Sequence, residues 1–78
     1  MKAISRSNNK IVMFEHIIWE DATLGQIYVD DQDAYYLCTD NENFVVLSPG
    51  SSYLTPGEVY CSLDDAKPVT EDVYLSVP

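Results

Sequence analysis

Apolar and polar residues alternate in short runs from residue 26 onward, and clusters of turn-forming residues separate the runs. Alternation with a period of two is typical of half-buried β-strands, whereas Asp, Asn, Gly and Pro favour the turns between strands. The pattern predicts strands over residues 26–30, 34–39, 44–47, 58–63 and 72–77, and a turn over residues 64–68. Short strands joined by tight turns predict a mainly β fold, a small five- to six-stranded antiparallel barrel or curled sheet.

The segment before these strands divides into a polar and an apolar part. Residues 1–10 place Lys2, Arg6 and Lys10 among Ser and Asn, and they are predicted to form a flexible basic N-terminal arm. Residues 11–19 (IVMFEHIIW) have apolar side chains at helical spacing, but their Ile and Val side chains are β-branched. An extended segment is favoured, with a short N-terminal helix as the alternative. Residues 11–78 are thus predicted to form a single acidic β domain of SH3-like type.

Alternation also predicts which side chains point into the core. The aliphatic residues of the strands at 26–30, 58–63 and 72–77 alternate with tyrosines. If the aliphatic side chains fill the core, Tyr28, Tyr60 and Tyr74 point outwards, opposite Ile27, Val29, Val59, Cys61 and Leu63. The strands at 34–39 and 44–47 are apolar on both faces, which predicts that they are the central strands.

Composition and charge narrow the class of partner. The chain has 78 residues, enough for one domain, and 46% of them are hydrophobic, too many for a disordered acidic tail. Its formal net charge is −9, and beyond residue 10 the thirteen Asp and Glu residues face a single basic residue, Lys67. A field of this sign repels phosphate backbones and attracts basic protein surfaces. Direct binding of nucleic acid is therefore not expected.

The sequence offers little for catalysis. His16 is the only histidine, and its neighbours Phe14 and Ile17 favour a partly buried structural residue or an interface contact. The Gly-rich phosphate loop, the GxSxG motif and the HExxH motif do not occur. The chain is therefore predicted to be non-enzymatic and to use no cofactor.

The acidic hairpin resembles a calcium loop only in part. Counting from Asp31 places Asp33 at position three and Glu42 at position twelve, as in an EF-hand. Positions five and six are Tyr35 and Tyr36, where the loop requires an oxygen ligand and a glycine. The spacing therefore excludes an EF-hand, and no metal site is predicted.

The surroundings of the two cysteines, Cys38 and Cys61, indicate whether the protein works in a reducing or an oxidising cellular compartment. Both cysteines lie in apolar strand-like stretches rather than in a CxxC motif, which favours two reduced core thiols, with a disulfide as the alternative. Residues 1–10 are polar, and no apolar run approaches the roughly 20 residues of a membrane span. A cytoplasmic protein without a membrane partner is expected.

Carboxylates at the predicted turns could imitate the phosphates of a nucleic acid and occupy a basic surface of a nucleic-acid-handling protein. Aromatic residues beside them would anchor such an interface. The predicted protein-binding residues are Asp30, Asp31, Asp33, Asp40, Glu42, Asp64, Asp65, Tyr28, Tyr36 and Tyr60. The alternative is a structural or assembly module that forms a homodimer through its tyrosine-rich face or a sheet edge.

Residues 24–47 (LGQIYVDDQDAYYLCTDNENFVVL) combine a Gly-x-Ile-Tyr strand with a Tyr-rich hairpin. This stretch resembles small accessory proteins encoded by bacteriophages. The resemblance implies a phage-type protein that acts in the host cytoplasm on a basic host protein, since the group includes inhibitors of host polymerases, nucleases and defence systems. It covers about a third of the chain and carries over no functional residue.

Overall fold

The computed structural model describes residues 2–4 and 11–70. The strands are β1 (Lys2–Ile4), β2 (Ile11–Met13), β3 (Glu15–Ile18), β4 (Ile27–Asp30), β5 (Tyr35–Cys38), β6 (Phe44–Ser48), β7 (Val59–Tyr60) and β8 (Ser62–Pro68). A 3-10 helix, Trp19–Asp21, follows β3. The predicted strand at 72–77 with Tyr74, and the arm residues Arg6 and Lys10, lie outside the described residues.

The main sheet has six antiparallel strands in the order β3-β8-β4-β5-β6-β7. Only Cys61 separates β7 from β8, yet β7 is one edge of this sheet and β8 lies next to the other edge. The sheet must therefore curl until its two sides approach each other. This half-barrel confirms the predicted mainly β fold.

The N-terminal segment is extended, as favoured, because residues 11–18 supply β2 and β3. Strand β1 pairs with β2 in a separate two-stranded sheet, with Ala3 opposite Val12. Lys2–Ile4, predicted as part of a flexible arm, is therefore paired in the structure. No helix within residues 2–4 and 11–70 has the length and apolar character needed to cross a bilayer.

The C-terminal half departs from the predicted boundaries in two places. The strand predicted over residues 58–63 is divided at Cys61 between β7, which pairs with β6, and β8, which pairs with β3 and β4. The turn predicted over residues 64–68 is wrong, because these residues continue β8. Strands β7 and β8 are separated by a change of partner strand at Cys61 and not by a turn.

A β-bulge explains why residues 64–68 read as a turn. Between the pairs Glu15↔Ala66 and Ile17↔Leu63 the β8 strand holds one extra residue. Asp65 takes the left-handed conformation, with φ of 51°, that such an insertion allows. Leu63 and Ala66 both face the core while two acidic residues between them face solvent. The bulge thus breaks the period of two on which the prediction depended.

The core is built largely from aromatic rings. Tyr28 and Tyr36 are each 5% exposed, and Phe44 is fully buried with its ring 5.6 Å from that of Tyr28 at 85°. Half-buried Tyr60 packs against this cluster, whereas Val59 is 53% exposed. The predicted outward orientation of Tyr28 and Tyr60 is therefore wrong.

Candidate protein-binding groove and acidic surface

The β4–β5 turn is organised around the carboxylate of Asp30. Its Oδ1 accepts hydrogen bonds from the backbone N–H groups of Gln32 and Ala34, both at 2.9 Å. Its Oδ2 accepts a hydrogen bond from the Tyr36 hydroxyl at 2.7 Å. Asp33 completes the turn with φ of 61°. Asp30 is therefore first a structural residue, whose oxygens are largely occupied within the chain.

Two tyrosine hydroxyls behind this turn are held by carboxylates. Burial and the hydrogen bond to Asp30 raise the pKa of Tyr36 well above the usual value. Tyr60 donates to Oε2 of Glu58 at 2.6 Å, which raises the pKa of Tyr60 and lowers that of Glu58. The two rings meet edge to face, with centroids 6.5 Å apart at 83°. Both hydroxyls thus remain neutral donors at physiological pH.

This arrangement predicts a loss of stability in alkali. Because the pKa of Tyr36 is raised in the folded state, the unfolded chain releases this proton first, near the ordinary pKa of about 10. The stabilisation is complete below that pH and is lost above it, by up to about 1.4 kcal/mol per pH unit for one group. Urea unfolding between pH 8 and roughly pH 11.5 measures this slope.

Tyr36→Phe should flatten that slope, although it also lowers stability at pH 8 by removing the hydrogen bond to Asp30. Some dependence should remain because the pKa of Tyr60 is raised as well. Tyr53→Phe is the matched control, since the Tyr53 side chain is fully in solvent. If the slope of stability against pH were unchanged in Tyr36→Phe, the loss of stability in alkali could not be assigned to Tyr36.

A groove of about 310 Å³ opens where the two sides of the curled sheet approach each other. It combines apolar side chains, hydroxyl groups and two carboxylates. Its lining residues are Asp30, Tyr36, Ser52, Leu54, Tyr60, Ser62, Leu63 and Asp64. The pairing of Asp30 with Ala66 between β4 and β8 brings the β4–β5 turn beside the bulge that carries Asp64. None of the lining residues is basic.

At the rim of this groove Asp64 contacts the only histidine. Nδ1 of His16 lies 2.6 Å from Oδ1 of Asp64, and both side chains are exposed, at 57% and 86% respectively. The bulge places Asp64 opposite β3, which carries His16. His16 is therefore a surface residue: the partly buried structural role is wrong, and the alternative of an interface contact stays a prediction. The pair becomes an ion pair when the imidazole is protonated.

The predicted carboxylates, together with Glu20 and Asp21, fall into two groups, one towards each end of strand β5. We call Asp30, Asp31, Asp33, Asp64 and Asp65 the groove end, since they surround the β4–β5 turn and the bulge. We call Glu20, Asp21, Asp40 and Glu42 the far end, since the Trp19 indole N–H donates to the Thr39 carbonyl there. Strand β5, with four residues, separates the two ends by roughly 13 Å, at about 3.3 Å per residue.

Few of these charges are compensated within residues 13–70. In the part whose side chains the structure describes, residues 13–70, Lys67 is the single Lys or Arg. Its ammonium lies 4.9 Å from the centroid of the Phe14 ring. Within that range the contact between His16 and Asp64 is the one pairing of a carboxylate with a basic side chain. The exposed carboxylates of both ends therefore leave a field that a cationic partner would satisfy.

The structure thus sorts the predicted protein-binding residues. Asp30, Tyr36, Tyr60 and Asp64 lie together in the groove. Tyr28 lies in the core, and its hydroxyl accepts a hydrogen bond from the Thr23 N–H at 2.9 Å. The exposed contact predicted for Tyr28 is therefore wrong, and the buried ring of Tyr36 offers a partner little area.

Sequence reasoning missed part of the groove wall. Ser52 and Leu54 come from the loop before β7, and Ser62 and Leu63 begin β8. No motif marks these four residues. Their role depends on the curl of the sheet, which brings distant segments to one place.

The two cysteines lie in different surroundings. Both thiols are free; Cys38 is buried, which raises its pKa, and Cys61 is exposed. The prediction of a core thiol is confirmed for Cys38 and wrong for Cys61. Within residues 2–4 and 11–70 no group of three His, Cys, Asp or Glu residues is arranged to hold a metal ion.

Comparisons with protein-family models, with curated proteins and with solved structures found no match to this chain.

Proposed function

We propose that this chain is a non-enzymatic module that binds a basic surface of another protein. The supporting observation is the acidic surface of residues 13–70, whose single Lys or Arg lies over an aromatic ring instead of pairing with a carboxylate. A surface charge this one-sided steers a cationic partner and rejects anionic ones.

The backbone conformation at three acidic residues favours a binding function over the alternative that the negative charge only keeps the protein soluble. Asp33, Glu42 and Asp65 adopt φ values of 61°, 62° and 51°, so each lies in a tightly constrained turn or bulge. The backbone that carries these carboxylates therefore loses little conformational freedom on binding, which reduces the cost of association. The turns and the bulge therefore hold the acidic residues at defined places on the surface.

The proposed partner is a nucleic-acid-handling protein of a host cell, in whose cytoplasm the chain would act as a phage-type inhibitor. Two groups of carboxylates at the two ends of β5, roughly 13 Å apart at about 3.3 Å per strand residue, suit an elongated cationic groove. In duplex DNA the phosphates present a continuous line of negative charge to the same kind of groove. The chain would then compete with nucleic acid as a mimic.

A second candidate is self-association at a sheet edge. Val59 is 53% exposed on the edge strand β7, and Tyr53 in the preceding loop is fully exposed. An unpaired edge with an apolar side chain is a template for pairing with a second copy. The tyrosine face first expected to pair is not available, because Tyr28 and Tyr36 are buried. Concentration-dependent sedimentation of the free chain would favour this candidate.

Binding to a partner isolated on the immobilised chain tests the main proposal. The partner is captured from an extract of the source cell, purified, and its affinity is measured at about 50 mM and about 500 mM salt, where screening differs strongly. We expect at least about a tenfold loss at the higher salt, and displacement of the chain by added duplex DNA.

Two matched variants locate the charges involved. One neutralises Asp31, Asp33, Asp64 and Asp65 to Asn at the groove end, and the other converts Glu20, Asp21, Asp40 and Glu42 to amides at the far end. Asn is suitable at Asp33 and Asp65 because it tolerates positive φ. At least one variant should bind about tenfold more weakly. Equal affinity at both salt concentrations, or wild-type affinity of both variants, would refute the proposal.

A further inference from the structure

We propose that the groove between the β4–β5 turn and β8 receives an arginine side chain of the partner. This inference rests on the proposed function, because it assigns one contact within the acidic surface. It names the side chain that would enter and the residues that would hold it.

The groove has the form that an arginine requires. Half-buried Leu54 supplies apolar surface for the three methylene groups, and the half-buried ring of Tyr60 supplies an aromatic surface in the same groove. The groove volume of about 310 Å³ lies at the lower limit for pockets that hold a whole drug-sized ligand. It is therefore large enough for one long side chain. An aliphatic stem in contact with apolar residues, with its charged head at the rim, is a common arrangement for arginine.

Charge complementarity selects a cation for the head group. Asp64 is at the rim, 86% exposed, and its contact within residues 13–70 is the single hydrogen bond with His16. Asp30 lines the same groove and spends three of its roughly four acceptor positions within the chain. With no Lys or Arg in the lining, two carboxylates face any ligand, and an anionic ligand is disfavoured.

The combination of groups favours a guanidinium over an ammonium ion. A guanidinium is planar, stacks on aromatic rings and can give two parallel hydrogen bonds to one carboxylate. The exposed carboxylate of Asp64, in β8, and the ring of Tyr60, in β7, both line the groove. A lysine ammonium group would lack the paired hydrogen bonds to Asp64, and it would not stack on the ring of Tyr60.

His16 gives the inference a second, opposite test. Its imidazole occupies Oδ1 of Asp64, so it competes with a guanidinium for the same carboxylate. His16→Ala should bind arginine at least as tightly as the native chain at pH 8, whereas Asp64→Asn should bind it more weakly. A merely structural disturbance of the bulge would weaken binding in both variants.

The test is an NMR titration of the full chain with a blocked Gly-Arg-Gly peptide, up to about 20 mM, because one side chain alone supports only a millimolar dissociation constant. The controls are the same peptide with citrulline, which is neutral and of nearly the same shape, and with lysine. We expect shifts confined to amides of Ser52, Leu54, Ser62 and Asp64. The citrulline peptide should bind at least about tenfold more weakly, and the lysine peptide about threefold more weakly.

The variants provide the decisive comparison. Asp64→Asn should weaken the arginine peptide about fivefold, whereas Asp40→Asn, which removes an exposed carboxylate from the far end, should leave its affinity unchanged. No saturable shift up to about 20 mM, equal effects of the two variants, or equal binding of citrulline would overturn the inference. If the salt-dependent binding of the protein partner persists in that case, the proposed function stands and only the groove assignment fails.

Discussion

Phe44→Ala should lower the free energy of unfolding by about 3–5 kcal/mol. Phe44 is fully buried at the start of β6, with its ring 5.6 Å from that of Tyr28 and its backbone opposite Tyr60 on β7. Truncation leaves a cavity between two parts of the sheet that cannot easily close, because both neighbours are themselves held by hydrogen bonds. The loss of the edge-to-face contact with the Tyr28 ring adds to the loss of buried apolar surface.

A loss of this size approaches the whole stability of a chain this short, which we expect to be about 5–10 kcal/mol. Urea unfolding followed by tyrosine and tryptophan fluorescence measures it, as a shift of the midpoint. The control is Val59→Ala, an apolar truncation at a position that is 53% exposed, which should change stability by no more than about 0.5 kcal/mol. A comparable change in the two variants would show that Phe44 is not central to the core.

The central hairpins could be predicted from sequence because their alternation and their turns agree. Strands β4, β5 and β6 lie within a residue or so of the predicted runs, and acidic turns separate them. The direction of the side chains could not be predicted in the same way. Tyr28 alternates with Ile27 and Val29, so both faces of β4 are apolar, and period alone does not say which face is inside. The larger rings fill the half-barrel.

The acidic surface was predicted from sequence, but its division into two ends was not. The chain runs in one direction through β4 and back through β5, so Asp33 and Asp40, seven positions apart, lie at opposite ends of β5. Asp30 and Asp64 are far apart in sequence and share one groove because β4 pairs with β8. Strand partners are long-range information that a local pattern does not contain.

Gly50→Ala should destabilise the chain by about 3 kcal/mol, because the position combines a backbone constraint with a steric one. Gly50 has φ of +58°, and a Cβ atom there would meet the backbone carbonyl groups of Gln32 and Asp33. The neighbouring Ser51 donates hydrogen bonds from its N–H and its hydroxyl to the Gln32 carbonyl, both at 2.9 Å. Separating the two loops would break these bonds and shift Ser52 at the groove wall.

Gly25→Ala separates the two contributions. Gly25 also has a positive φ, +81°, but a Cβ atom there would meet no other atom within 4 Å. Its substitution therefore costs only the backbone strain, about 1–2 kcal/mol. Thermal and urea unfolding of both variants should rank Gly50→Ala well below Gly25→Ala in stability. Equal losses would mean that the contact between the loop at Gly50 and the β4–β5 turn can relax without cost, and that the groove wall is less rigid than the Ser51 hydrogen bonds imply.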